Sequence, residues 1–237
     1  MVNGFTGDYA PYTAGEKDAA QMAVDLVNEA SKQAGLSVTT KLFAEDSQST
    51  PTGATEAATK LVTINKVSVL IGTVTTAESI PIAKTVAIPN HVVQFALSTS
   101  PLLAQIDGAG QYLFRTTPSD ADQTSKLAEY MGTALGTQKT INTIGENTPE
   151  GSAVEQAFED AWTKLGGKIG VKVVYDAKEP SYDSDAAKAV SGSPDGWFDY
   201  DLSDQFATFL PALVRTGKWD PARTFSTDNL KVADLSK

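Results

Sequence analysis

No cysteine occurs anywhere in the chain, and histidine occurs once. Without thiols there is no disulfide, no thiol catalysis and no Cys-ligated zinc or iron–sulfur centre. A lone histidine rules out zinc sites of the His-Glu-x-x-His kind. The lack of cysteine suits an exported protein and a cytosolic one alike. Positive charge is scarce too: 19 Lys and Arg stand against 29 Asp and Glu, a formal net charge of -10. That excludes a fold-wide basic field, and nucleic acid is not expected as a partner. No apolar run approaches the roughly 20 residues of a membrane span. The opening residues, Met1-Val2-Asn3-Gly4-Phe5, have neither the charged nor the apolar region of a secretion signal. Two options follow, a protein that is not exported or one whose signal has been removed.

Enzyme motifs are missing as well. Gly108-Ala109-Gly110-Gln111-Tyr112-Leu113 lacks the third glycine of a dinucleotide loop and precedes a strand rather than a helix. There is no Gly-x-x-x-x-Gly-Lys-[Ser/Thr] and no Gly-x-Ser-x-Gly. His91 falls before a strand, on the face of a sheet away from ligand sites, and reads as structural or surface. Glu179, Asp183, Asp185, Asp199, Asp201 and Asp204 lack calcium-loop spacing and read as solvated faces. No metal or cofactor is expected.

What is present is enough apolar material for a core, 41% of residues against 20% charged, set out in alternating helical and strand patterns. Ala20, Ala23, Val24, Val27 and Ala34 mark one face of a helix over 15–34, stopped by Gly35. Residues 37–44 read as a strand. Pro51 opens a helix through Ala54, Ala57, Ala58, Leu61 and Val62. The β-branched run 67–72 reads as a buried parallel strand. A helix over 75–86 and strands over 92–97 and 112–115 complete the first series. After Pro118 the rhythm restarts, with helices over 120–135, 152–165, 183–190 and 204–215. Strands fall over 140–144, 168–175, 196–200 and 223–226. No short repeat is evident. Two such series predict an α/β protein of two lobes with parallel sheets: 1–117, a crossover at 118–121, and 122–237.

In open parallel sheets ligands bind outside the carboxyl ends of the strands. Attention therefore goes to 73–79, 98–101, 146–151, 201–203 and 227–229. Thr73-Val74-Thr75-Thr76 leads from a strand into a helix, where unpaired N–H groups and hydroxyls suit a carboxylate. Thr75 as a simple helix cap explains the same residues. Ser98-Thr99-Ser100-Pro101, with the Leu97 carbonyl, could accept from an ammonium, or form only a local turn. Tyr12 could wall a pocket or pack on its own scaffold. Asp228 could pair with an ammonium or stand in solvent.

Several segments carry a family resemblance. They are Phe5-Thr6-Gly7-Asp8-Tyr9, Ala44-Glu45-Asp46-Ser47-Gln48, and Val69-Leu70-Ile71-Gly72 with Pro81. Ser98-Thr99-Ser100-Pro101-Leu102 follows, then the most specific stretch, Tyr112-Leu113-Phe114-Arg115-Thr116-Thr117-Pro118-Ser119-Asp120. Weaker similarity runs through Phe158-x-x-x-Trp162, Gly166-Gly167 and Phe209-Leu210 to Phe225. In this order they resemble the type I periplasmic solute-binding proteins of ABC transporters, in particular the branched-chain amino acid (Leu/Ile/Val) group. The resemblance implies a non-enzymatic receptor that holds a small amino acid or related zwitterion between two Rossmann-like lobes and delivers it to an ABC permease. It implies a periplasmic or extracellular location, free or lipid-anchored before processing. By position, Thr76 matches the hydroxyl at the ligand carboxylate. Leu97 (through its carbonyl) and Thr99 match residues at the ammonium, with the Ser98 backbone between them. Tyr12 matches an aromatic wall, and Asp228 falls near the acid that pairs with the ammonium. Two departures stand out. Pro149-Glu150-Gly151 replaces a usual Tyr-Gly pair, and Asp201-Leu202 lies near a second missing aromatic, so a polar or charged ligand is in range. Against the family the chain reads as incomplete at both ends. A ligand-sensing domain of a receptor or regulator would share the fold, whereas an α/β enzyme would need a phosphate loop and an acid/base pair in the cleft.

Overall fold

Described for residues 1–201 and 203–230, the computed structural model shows a chain that divides between Thr117 and Pro118 into two α/β units. Every strand pair in both units is parallel.

The first unit begins with a two-residue strand, β1 (Val2–Asn3), a one-turn helix, α1 (Ala10–Thr13), and a long helix, α2 (Glu16–Gln33). The expected strand over 37–44 does not form, and only β2 (Glu45–Asp46) pairs, with β1. A strand needs a bonded neighbour, and β1 supplies two residues. The preceding segment is tied instead by Asn28, whose side chain bonds the Thr40 N–H at 2.7 Å and the Thr40 carbonyl at 2.9 Å. The apolar face expected on α2 is not buried either: no residue of the helix is, and Met22, Leu26 and Val27 are exposed.

Helix α3 (Pro51–Thr63) does bury the face read from the sequence, Ala54, Ala57, Ala58, Leu61 and Val62. Next come β3 (Val69–Ile71) and α4 (Thr76–Ile82), which runs into a π turn over Ala83–Ala87. Strands β4 (Val93–Ala96) and β5 (Leu113–Arg115) complete a sheet of order β3-β4-β5, with a 3-10 turn over Pro101–Gln105 between them. In register, Leu70, Gln94 and Leu113 line the buried face, while Ile71, Phe95 and Phe114 line the opposite, exposed one. The expectation that β3 is buried on both faces is thus corrected. Its helical cover lies on one side, with Val69 45% and Ile71 39% exposed on the other.

In the second unit, Ser119 caps α5 (Asp120–Leu135) by accepting from the Ala121 N–H at 3.3 Å. Then follow β6 (Thr140–Glu146), α6 (Pro149–Lys164), β7 (Lys168–Tyr175), α7 (Asp183–Ala189), β8 (Gly196–Tyr200), α8 (Ser203–Arg215) and β9 (Thr224–Ser226). The strand order is β7-β6-β8-β9. Both faces of this sheet are covered. Trp197 enters a core with Tyr182, Phe206 and Phe209 on the α7–α8 side. Phe198, its neighbour in sequence, enters the core on the α5–α6 side and stacks on Phe158 with ring centroids 4.0 Å apart. Alternation along one central strand therefore feeds two cores.

Candidate functional site

Strands β3 and β4 lie side by side and run the same way, so the segments after them leave from one edge of the first unit's sheet. The two are joined directly, the Leu97 N–H donating to the Thr73 carbonyl at 3.1 Å. Hydroxyls concentrate here, and they differ in what they are free to do. Thr73 donates to the Thr75 carbonyl at 3.2 Å, and its hydroxyl also lies 3.0 Å from that of Ser79. Thr75 has the extended backbone of a cap, but its side chain does not cap α4; it donates to Glu78 Oε2 at 3.0 Å. Burial raises the Glu78 carboxyl above the usual range; hydrogen bonds from Ser47, Thr75 and Thr73 pull it back, and the nearby Asp46 charge adds to the rise. Thr76 and Ser98 are both buried and bond to each other, Oγ1 to Oγ, at 2.7 Å. Such a pair spends one hydroxyl hydrogen on itself and keeps a second for another acceptor.

The neighbouring turn is held by its carbonyls. The Leu97 carbonyl accepts from the Thr117 hydroxyl at 3.1 Å. Arg115 Nη1 donates to the Thr99 carbonyl at 3.3 Å and the Ser100 carbonyl at 2.9 Å. The Thr99 side chain is half-buried. Arg115 was conspicuous in the sequence without a role, and the structure gives it one, fastening the turn that carries Thr99. Tyr12 sits on α1, 42% exposed. The loop before it is pinned by Asp46, which accepts from the N–H groups of Phe5, at 3.0 Å, and Thr6, at 3.2 Å, and from the Thr6 hydroxyl at 2.6 Å. His91 occupies the turn that enters β4, at the amino end, exposed, its ring 5.3 Å from that of Tyr112.

In the second unit, Asp228 opens a 3-10 turn after β9 and accepts from Gln123 Nε2 at 2.7 Å. Thr148, after β6, caps α6 by accepting from the Gly151 N–H at 2.9 Å. Asp201 follows β8 and accepts from the Glu146 N–H at 2.9 Å and the Tyr175 hydroxyl at 2.7 Å. Asp199 and Asp201 are not on a solvated face, as their polarity suggested. They are 0% and 2% exposed, because β8 is covered on both sides. Asp185 is buried too, whereas Glu179, Asp183 and Asp204 are exposed as expected, Asp183 paired with Arg215. Leu202 lies outside the described residues. No local pattern marked Asp199 as inside, because β8 is buried along its whole length by helices distant in sequence. Among the described residues no group of three or more acids or histidines could hold a metal ion.

Of the six residues singled out, the structure brings Thr76 and Ser98 into contact and sets Leu97 and Thr99 on the same edge. Tyr12 lies on α1 of the same unit, and Asp228 belongs to the second unit.

Two α/β units of parallel strands, divided at Thr117–Pro118, match the type I periplasmic binding protein fold. The chain belongs to the periplasmic binding protein family, whose profile matches residues 1–227. It is similar to a leucine-binding protein, LivK, from Thermotoga maritima, with 20% identity and a TM-score of 0.78 over 97% of this chain and 62% of that one. It is similar to LivJ of Streptococcus pneumoniae, solved with isoleucine, with 21% identity and a TM-score of 0.74 over 95% of this chain and 62% of that one. A solute-binding protein from Rhodopseudomonas palustris, solved with 4-hydroxybenzoate, has 18% identity and a TM-score of 0.76 over 97% of this chain and 61% of that one. No curated protein matches the chain. The chain thus spans about three fifths of the length of these structures. Among the described residues no helix is long and apolar enough to cross a membrane.

Proposed function

We propose that the chain is the ligand-binding portion of an extracytoplasmic solute receptor of an ABC transporter, without enzymatic activity, and that it binds a small amino acid or related zwitterion. The permease is its partner, and residues 118–121 serve as the hinge. The observation that carries the ligand reading is the buried Thr76–Ser98 hydroxyl pair, 2.7 Å apart at the carboxyl edge of the β3-β4-β5 sheet. A pair with one hydrogen left to give suits a carboxylate oxygen. The Leu97 carbonyl, still with a lone pair to offer, and the Thr99 hydroxyl take the ammonium, with Asp228 as the counter-charge and Tyr12 as an apolar wall.

A second reading has its own support, since one structurally similar receptor was solved with 4-hydroxybenzoate. An aromatic acid shares the carboxylate and lacks the ammonium. Calorimetric titration with leucine, leucinamide and 4-hydroxybenzoate separates the readings. Leucine is expected to bind and leucinamide to fail. Thr76→Val and Ser98→Ala should each weaken leucine binding by roughly 10- to 150-fold, the worth of one hydrogen bond to a charged group. Equal binding of leucine and its amide would defeat the carboxylate assignment. Binding of 4-hydroxybenzoate alone would replace the amino acid reading with the aromatic acid one.

A further inference from the structure

The carboxyl end of β8 carries two acids for which the ligand reading has no use. Asp199 shares the face of β8 on which Trp197 meets α7 and α8, and Asp201, just past the strand, reaches the hydroxyl of Tyr175 in the same core. Asp201 is well provided for as an anion, with the Tyr175 hydroxyl and the Glu146 N–H both donating to it. Asp199 is not. It is fully buried, and neither of its carboxyl oxygens has a hydrogen-bond partner among the described residues. Ser226, opposite it in register on β9, has a buried hydroxyl that is likewise unpartnered. The charged group that acts on Asp199 is Asp201. Two carboxylates offer each other only lone pairs. A single proton turns the same pair into donor and acceptor.

We propose that Asp199 and Asp201 form a proton-binding site, in which Asp199 holds one proton at neutral pH and donates it to Asp201, and that this proton makes the carboxyl end of β8 sensitive to pH. The surroundings favour it. Burial drives the Asp199 carboxyl well above the usual carboxylate range, and the Asp201 charge pushes it further. Burial raises Asp201 as well, against the hydrogen bonds from the Tyr175 hydroxyl and the Glu146 N–H. The other elements around the pair add little positive charge. Glu146 ends β6, Asp176 follows β7, and Glu155 on α6 also feels Asp201; of the lysines, Lys178 acts on Glu146 and Lys172, paired with Glu159, acts on Glu155. Helices α7 and α8 contribute Tyr182, Phe206 and Phe209 to that core.

The unfolded chain gives up the Asp199 proton near pH 4, about the ordinary aspartate value. The folded chain keeps it to higher pH. Its stabilising contribution is therefore complete below about pH 4 and is lost as pH rises through the folded-state value. Past that point two buried negative charges confront each other, and the strand end must open to hydrate one of them.

The test is infrared spectroscopy of the full chain carrying carbon-13 aspartate, which separates aspartic from glutamic acid bands. At pH 7 the wild type is expected to show a protonated aspartic acid carbonyl band that disappears on raising the pH. Asp199→Asn should remove that band. It should also remove a few degrees of the fall in melting temperature between about pH 5 and pH 8. No protonated aspartate in the wild type at pH 7 would overturn the proposal, as would a band that survives Asp199→Asn unchanged. Should the variant fail to fold, the labelled wild type decides on its own.

Discussion

Gly72 follows β3 with φ at +111°, and a Cβ built there would run into the Val2 carbonyl. Both facts have one cause. The first unit's two small sheets meet at this point, and the chain must pass the β1 backbone before turning into the Thr73–Thr76 segment. An L side chain is strained at that φ by about 1–3 kcal/mol even before the clash. Gly72→Ala is therefore expected to destabilise the chain by about 2 kcal/mol or more, read as a lower urea midpoint with unchanged slope. The same residue-scale reasoning separates acids that look alike in the sequence. Asp46 lies half-buried among the N–H groups of Phe5, Thr6 and Gln48, and these bonds and the Thr6 hydroxyl outweigh burial and leave its carboxyl below the usual range. Asp199 has no donor and is pushed the other way. Nothing in residue type or spacing distinguishes them; their hydrogen-bond partners do.

At the scale of elements, the two units start a central helix with the same device. Thr50-Pro51-Thr52-Gly53 opens α3 and Thr148-Pro149-Glu150-Gly151 opens α6. In each the threonine hydroxyl accepts from the glycine N–H, at 3.1 Å and 2.9 Å, and proline fills the first turn where no N–H is missed. Glycine is required because a Cβ would meet the Ser47 carbonyl in one unit and the Glu146 carbonyl in the other. A search for repeats passes over four residues, yet the cap recurs because both helices leave a parallel strand by the same tight turn. Thr50→Ala and Thr148→Ala should each cost about 1 kcal/mol, measured by chemical denaturation. Thr50→Ser and Thr148→Ser should recover most of it. Helix boundaries were legible to this degree because caps and apolar spacing are local. The strand expected over 37–44 was not, since a strand exists only where a neighbour pairs with it.

For the molecule as a whole, charge and exposed apolar surface act against each other. Ile71, Phe95 and Phe114 form a stripe across three strands, with Val69 beside it, and Met22, Leu26 and Val27 are exposed on α2. Contiguous patches of this kind promote association. The formal charge of -10 opposes it at pH 7, and that opposition fades toward the sequence pI of about 4.6. Light scattering is expected to show self-association that grows as pH falls toward 5 and as salt screens the charge at pH 7. Phe95→Lys or Phe114→Lys should suppress it at neutral pH. Association that is indifferent to both substitutions would place the sticky surface elsewhere.

The sequence by itself determined the α/β class, the parallel strands, the change of rhythm at Pro118 and the buried face of α3, down to Ala54, Ala57, Ala58, Leu61 and Val62. Each of these is a local periodicity or a local stop signal. It also pointed to the strand ends where Thr76, Leu97, Ser98, Thr99 and Asp228 lie, because parallel topology fixes which loops share an edge. The tertiary structure alone decided that Thr76 and Ser98 share a hydrogen bond, that Arg115 holds the Thr99 turn, and that Asp199 is buried while Asp183 is not. It also decided that β3 is covered on one face and β8 on both. Hydroxyl pairing, carbonyl clamping and strand burial are contacts between residues distant in sequence. They are set by which helices lie over a sheet and by how the sheet registers, neither of which is written in any one segment.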